Sequence, residues 1–203
     1  MNKKKVLILF AHPRLEKSRA NSALLRHVPH LPNITFHDLY ERYPDFNIDL
    51  EHEKHLLLEH DLIVWQHPFY WYSAPPLLKQ WIDVVLEFGW AYGPGGNVLA
   101  GKLIFNLITS GGGREVYHRE GRNRYTVGEF LVPFKQTATL CQMRYLPPFA
   151  VQGTHQLTDA QLEEYAVQYK HLLEILASRD FMPDEMCQWE FLNDWLAKTR
   201  DAH

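Results

Sequence analysis

Ser18-Arg19-Ala20-Asn21 stands at the head of an apolar, helix-like pattern. Just upstream, the apolar run Val6 to Phe10 stops at Ala11-His12-Pro13. Serine offers a hydroxyl, asparagine an amide and arginine a charge, where a starting helix presents unpaired backbone N–H groups and a positive dipole end. That combination suits a phosphate. It is neither the GxGxxG of dinucleotide sites nor the GxxxxGK[ST] of nucleoside triphosphatases. A single phosphate monoester needs no glycine-rich wrap. The same residues also read as an N-cap serine on a surface helix.

Two further stretches carry chemistry. "HPFYWYSAPPLLKQWID" (67–83) holds four consecutive aromatics, Phe69, Tyr70, Trp71 and Tyr72, stiffened by Pro68, Pro75 and Pro76. Aromatics are costly to expose. They either pack a corner of the core or wall a flat conjugated ligand and present backbone groups to its edge. "TSGGG" (109–113) offers the hydroxyls of Thr109 and Ser110, and Gly111 and Gly112 let the backbone approach a ligand closely. Jointly the three stretches describe a planar, phosphorylated ring system.

The elements that must position them follow from periodicity. Strands are expected at 6–10, 34–39, 61–66, 102–109 and 145–151, the last broken by Pro147-Pro148. Helices are expected at 22–28, 50–60, 76–88, 126–141 (despite Pro133) and 158–177. Thr158 with Gln161 has the capping-box spacing. Strict alternation of strand and helix means an α/β fold, a parallel sheet with helices on both faces. Five strands suit the flavodoxin-like order, in which ligands sit beyond the carboxyl ends of the strands where the order reverses. The three chemical stretches fall in the loops after strands one, three and four.

Bulk properties narrow the classes. The 203 residues suit one well-buried domain, and the formal charge of −3 argues against nucleic-acid binding. No apolar run approaches the roughly 20 residues that span a bilayer, and no secretory pattern follows the first strand. A cytoplasmic protein is expected. Cys141 and Cys187 fit no metal or redox spacing. His52 and His55 stand three apart on an expected helix with His60 further on, but no third ligand has persuasive spacing, so no metal site is expected.

The set "AHP…S-x-AN", "HPFYWYSAPPLLKQWID", "GWAYGPGGNVLAGK" and "TSGGG" resembles the flavodoxin-fold NAD(P)H:quinone oxidoreductase family over nearly all of residues 5–178. "YPDFNID" (43–49) and "YLPPF" (145–149) make it most similar to the ancillary subunits of glutathione-regulated potassium-efflux (Kef) systems. The resemblance implies a homodimer carrying FMN, with FAD possible. It implies two-electron reduction of quinones by NADH or NADPH. It also implies docking on a potassium/proton antiporter at the inner face of the inner membrane. On that resemblance His12, Ser18, Arg19, Ala20 and Asn21 would hold the flavin phosphate region. Phe69, Tyr70, Trp71 and Tyr72 would line the ring, and Thr109, Ser110, Gly111 and Gly112 would close over it.

One departure stands out. Family members often place a Tyr and a His after the glycine loop. Here Tyr117 holds the tyrosine position, Asn123 falls where the histidine is expected, and His118 is next to Tyr117. Asparagine donates a hydrogen bond but takes up no proton at neutral pH. Arg114, Arg119, Arg122 and Arg124 crowd the loop, to bind dinucleotide phosphates, to face an acidic partner, or as a solvated face. A non-catalytic regulatory subunit is therefore the alternative to an FMN-dependent enzyme. A flavodoxin-type electron carrier fits less well, being smaller and markedly acidic.

Residues 1–180 are read as the flavin-binding domain and 181–203 as a helical tail. Met186, Trp189, Phe191 or Leu192, and Trp195 or Leu196 recur at helical spacing there. That stripe either packs on the protein itself or its dimer, or docks the membrane partner.

Overall fold

The computed structural model describes residues 3–178 and 181–200. Its strands are β1 (Val6–Phe10), β2 (Ile34–Asp38), β3 (Leu62–Pro68), β4 (Leu103–Ser110), β5 (Arg144–Tyr145) and β6 (Phe149–Gln152). All pair in parallel in the order β2-β1-β3-β4-β5, with β6 also on β4. The expected fifth strand is split because Pro147-Pro148 cannot donate to a ladder. Its two halves pair with successive parts of β4, Leu103–Ile104 and Leu107–Ser110.

β1, β3 and β4 are buried along their whole length, as strands covered on both faces must be. Their side chains alternate between two cores. Leu7, Leu9, Ile63, Trp65, Ile104 and Ile108 face one. Val6, Ile8, Leu62, Val64, Phe105 and Leu107 face the other.

The helices are α1 (Arg19–Arg26), α2 (Leu39–Arg42), α3 (Leu50–Glu59), α4 (Pro76–Val85), α5 (Val127–Phe130), α6 (Val132–Leu140), α7 (Asp159–Ser178), α8 (Pro183–Met186) and α9 (Leu192–Arg200). α1 begins at Arg19, three residues before the expected Ser22, because the Ser18 hydroxyl caps it by accepting from the Asn21 N–H at 3.2 Å. The expected helix 126–141 is two helices. A capping box between Thr126 and Glu129 starts α5. Pro133, without an N–H and with its ring against the preceding turn, ends that run and opens α6. At α7, Thr158 and Gln161 make the expected reciprocal cap.

The apolar stripe of the tail packs on the body of the protein except at Trp189, which is exposed. Met186, Leu192, Trp195 and Leu196 join the core beneath α1 and α7, and Phe191 joins the other. Leu192 donates its N–H to the Pro148 carbonyl at 2.9 Å, and the Asn193 side chain accepts the Ala150 N–H at 2.8 Å. The tail thereby covers the outer edge of β6. The boundary read at residue 180 and the last residues, 201–203, lie outside the described residues. No helix among the described residues is long and apolar enough to cross a membrane.

Candidate functional site

The strand order reverses between β1 and β3, and a cleft of about 760 Å³ opens there beyond the strand ends. That volume lies in the range of small-molecule sites, about 300–1,000 Å³. Its lining brings together His12, Ser18, Arg19, Ala20, Phe69, Tyr70, Trp71, Thr109 and Gly111 from the expected set. A second hollow of about 320 Å³ is lined by Phe69, Trp71, Tyr72, Gly112, Tyr117, Arg122 and Asn123. Phe69 and Trp71 line both.

One end of the cleft is cationic. Ser18 caps α1, whose first N–H groups, on Arg19 and Ala20, have no place in the helical ladder. Arg14 and Lys17 add charge at the rim. Arg19 is partly committed, since Nη2 pairs with Asp159 at 2.6 Å and donates to the Leu157 carbonyl at 3.2 Å. His12 accepts the Arg14 N–H on Nδ1 at 3.1 Å, so its neutral ring carries its proton on Nε2 as a donor. Burial pushes the His12 pKa below its ordinary value and favours that neutral form.

Asn21 lines neither hollow. It is fully buried, donating from Nδ2 to Ser18 Oγ at 3.1 Å and to Thr109 Oγ1 at 3.0 Å. Gln66 donates to its Oδ1 at 3.5 Å, and the Tyr169 hydroxyl donates to Gln66 Oε1 at 3.0 Å. A buried polar chain thus ties the first loop to the end of β4.

The other end is aromatic. Phe69 is buried among Tyr72, Tyr117 and Phe130, and Tyr72 stacks on Phe130 with centroids 4.8 Å apart. Both belong to a packed corner as well as to a wall. Tyr70 meets His12 edge-on. Trp71, 93 % exposed, stands at the tip. Ser73 donates back to the Tyr70 carbonyl at 3.0 Å, closing a tight turn with Trp71 and Tyr72 at φ +48° and +64°. Two bulky residues in the left-handed region are a local strain of the kind that collects at ligand sites.

The glycine turn closes the top. Ser110 is buried and donates to the Gly112 carbonyl at 2.8 Å. Gly112 leaves room for the Tyr117 ring, which a Cβ there would approach to 3.2 Å. Burial pushes the Tyr117 phenol upward against an opposing hydrogen bond with Ser110, so it is a protonated donor at neutral pH. The Tyr72 hydroxyl donates to Asn123 Oδ1 at 3.4 Å, which places Asn123 in the hollow beside Tyr117. His118 is exposed and lines neither hollow.

The arginines of this loop separate. Arg122 lines the hollow, Arg119 pairs with Glu129 at 3.4 Å, and Arg114 is taken by the tail acids Glu190 and Asp194.

Thr154 and His155 also line the cleft, from the loop after β6. The Gly153 N–H donates to the Gly112 carbonyl and the Thr154 N–H to the Ser110 carbonyl. The only signal for them in the sequence is the Gly153-Thr154-His155 stretch, and only the pairing of β6 with β4 brings it to the site.

His52 meets His37 and Glu53 rather than His55, with ligand atoms within 4.8 Å. Buried Glu53 accepts from His37 Nε2 at 2.7 Å, Tyr43 at 2.5 Å and Trp81 Nε1 at 2.7 Å. These three donors share the carboxylate and hold its pKa down against its burial.

A family described as having the flavodoxin-like fold matches residues 4–173. The ancillary protein KefG of the glutathione-regulated potassium-efflux system of Pectobacterium atrosepticum is 48% identical over 165 residues, 81% of this chain and 90% of that protein. The general stress protein 14 of Treponema denticola, solved in complex with FMN, superposes with TM-score 0.81 at 39% identity, covering 85% of this chain and 99% of that one. An NADPH-quinone reductase from P. pentosaceus superposes with TM-score 0.75 at 31% identity, covering 83% and 96%. The chain belongs to the flavodoxin-like family, among the relatives of the ancillary proteins of the glutathione-regulated potassium-efflux system.

Proposed function

We propose that the chain is an FMN-dependent NAD(P)H:quinone oxidoreductase that serves as the ancillary subunit of a glutathione-gated potassium/proton antiporter. The observation that carries this reading is the two-ended cleft, with a cationic helix N-terminus at one end and an aromatic, glycine-lidded wall at the other. The donor set fits a phosphorylated flavin. Ser18, the free N–H groups of α1, Arg14 and Lys17 suit a phosphate, and Phe69, Tyr70 and Trp71 suit a flat ring.

Bound there, the flavin would supply the two-electron hydride chemistry. The residues of this chain bind, orient and donate. His12 offers Nε2–H to an oxygen of the ligand. The glycine turn lets main-chain N–H groups come close to a ring edge. Tyr117 holds its proton at neutral pH and donates a hydrogen bond towards charge developing on the ring. Asn123 would orient a carbonyl by its amide. It takes up no proton, so charge stabilisation here rests on hydrogen bonds rather than on a titrating imidazole.

The partner reading rests on the KefG relatives. It puts the chain at the inner face of the inner membrane, held there by the antiporter. The proposal includes a homodimer, as the resemblance to the quinone oxidoreductases implies, and the exposed Trp71, Phe88, Tyr125 and Val132 are apolar surface for such an assembly to cover.

An absorption spectrum after FMN loading and desalting tests the enzyme. NADH or NADPH should bleach the retained flavin and a soluble quinone should restore it. Retained flavin that no nicotinamide bleaches leaves the second reading, a regulatory subunit that uses the cleft only as a platform. The replacement of a titrating group by Asn123, with His118 outside the hollow, favours that alternative.

A further inference from the structure

α8 and α9 lie beyond residue 173, where the family match ends. The T. denticola and P. pentosaceus structures are covered over 99% and 96% of their lengths by only 85% and 83% of this chain. Their fold is therefore nearly complete without a segment of this size.

What the added segment grips is the loop over the cleft. Arg114 directly follows the glycine turn. Its Nη1 and Nη2 take both oxygens of Asp194, at 2.9 and 3.0 Å, and Nη2 also takes Glu190 Oε2 at 2.6 Å. Its guanidinium carbon sits 4.7 Å from the centroid of the Phe191 ring. A bidentate carboxylate, a second acid and an aromatic face fix both the position and the plane of that group. The stretch that carries these three residues, 190–194, is fastened to the sheet through Leu192 to Pro148 and Asn193 to Ala150.

The glycine turn is thus held on two sides. Gly153 and Thr154 bond it from behind, and Arg114 pins its exit to the tail. Beyond Arg114 the loop runs on to Tyr117 and Asn123, which line the hollow. The three charged side chains of the clamp are partly solvated, so their ion pairs contribute little to global stability. Its consequence is geometric.

We propose that Glu190, Phe191 and Asp194 are positioning residues for the flavin cleft, acting through Arg114 on the glycine turn and on Tyr117. The tail is then a working part of the site, added outside the family fold. The proposal rests on the flavin reading above.

The test uses the full chain with four variants: Arg114→Gln, Asp194→Asn, the double variant Glu190→Gln/Asp194→Asn, and the charge exchange Arg114→Glu/Asp194→Arg with Glu190→Gln, which removes the like charge the exchange would otherwise face. FMN affinity is read by quenching of flavin fluorescence, beside thermal unfolding without flavin and a KM-against-kcat comparison. Arg114→Gln and the double variant are each expected to weaken FMN binding on the order of tenfold, the size of an ordinary coupling between sites. Their unfolding midpoints should stay near that of the parent chain, and the exchange should recover most of the affinity. Parent chain that binds FMN, with every variant within twofold of it, overturns the proposal and leaves the tail as packing. A drop in affinity that the exchange does not recover, matched by a drop in the unfolding midpoint, overturns it equally. Parent chain that binds no FMN overturns the flavin reading itself, and the proposal with it.

Discussion

Asn21 and Thr109, from the first helix and the fourth strand, meet through a 3.0 Å hydrogen bond in the protein interior. Ser18, which caps α1, and Thr109, which lines the cleft, are thereby set relative to one another by one amide. Asn21→Ala leaves Thr109, Ser18 and Gln66 each short of a partner. A loss of about 2 kcal/mol is expected from an orphaned buried polar group. Urea unfolding of the flavin-free chain measures it, and an unchanged midpoint would show the network to be dispensable.

Trp71 separates function from stability. Glycine at this φ relieves left-handed strain but adds entropy to the unfolded chain, and the two nearly cancel. Little packing is lost from so exposed a side chain. Trp71→Gly should change stability by less than about 0.5 kcal/mol while weakening FMN retention. Denaturant titration and desalting of the loaded protein decide it, and full retention would remove Trp71 from the site.

His67 predicts an acid sensitivity. It is fully buried and neutral, accepting from Asn106 Nδ2 at 2.9 Å with Nδ1 3.0 Å from the Pro68 carbonyl, and burial pushes its pKa down to about 4. Below the unfolded value of about 6.5, the unfolded chain takes a proton that the folded chain refuses. Stability is therefore full above that value and falls between pH 6.5 and 4, by roughly 3 kcal/mol from this residue at the lower limit. Unfolding free energies at pH 7, 5.5 and 4.5 should decline in the parent chain. The decline should be shallower in His67→Gln.

Glu53 acts in the same direction at lower pH. Its carboxyl pKa is held below the ordinary value by His37, Tyr43 and Trp81, so its contribution is present above that value and lost as pH falls through the folded one. At pH 7, Glu53→Ala strands two buried donors, Tyr43 and Trp81, and the half-buried His37, and a loss of about 3–5 kcal/mol is expected. Trp81→Phe, which removes one donor and keeps the ring, should cost less than half as much. Equal losses would refute the shared-carboxylate account.

The parts of the fold legible in the sequence are those governed by local rules. The apolar runs of β1, β3 and β4 announce strands buried on both faces, and the loops after them hold the cleft residues. Errors arose where one side chain overrides a pattern, as Ser18 does by starting α1 early and Pro133 by dividing a helix. What could not be read is contact across long separations. Asn21 is legible as a polar residue at a helix start, yet its partner lies 88 positions away, and Arg114 meets Asp194 across 80. His155 arrives only because β6 pairs with the end of β4. Periodicity carries no record of such pairings.

The clamp between Arg114 and the tail also orders events in time. Chains emerge from the ribosome N-terminus first, and domains begin to fold as they do. Strands β1 to β4 and the aromatic turn leave long before residues 190–194. A nascent chain can therefore build its sheet but cannot pin the glycine turn until residues 190–194 are free. Fastening of the cleft is thereby the later event, and a chain cut short in α8 would display the fold without it.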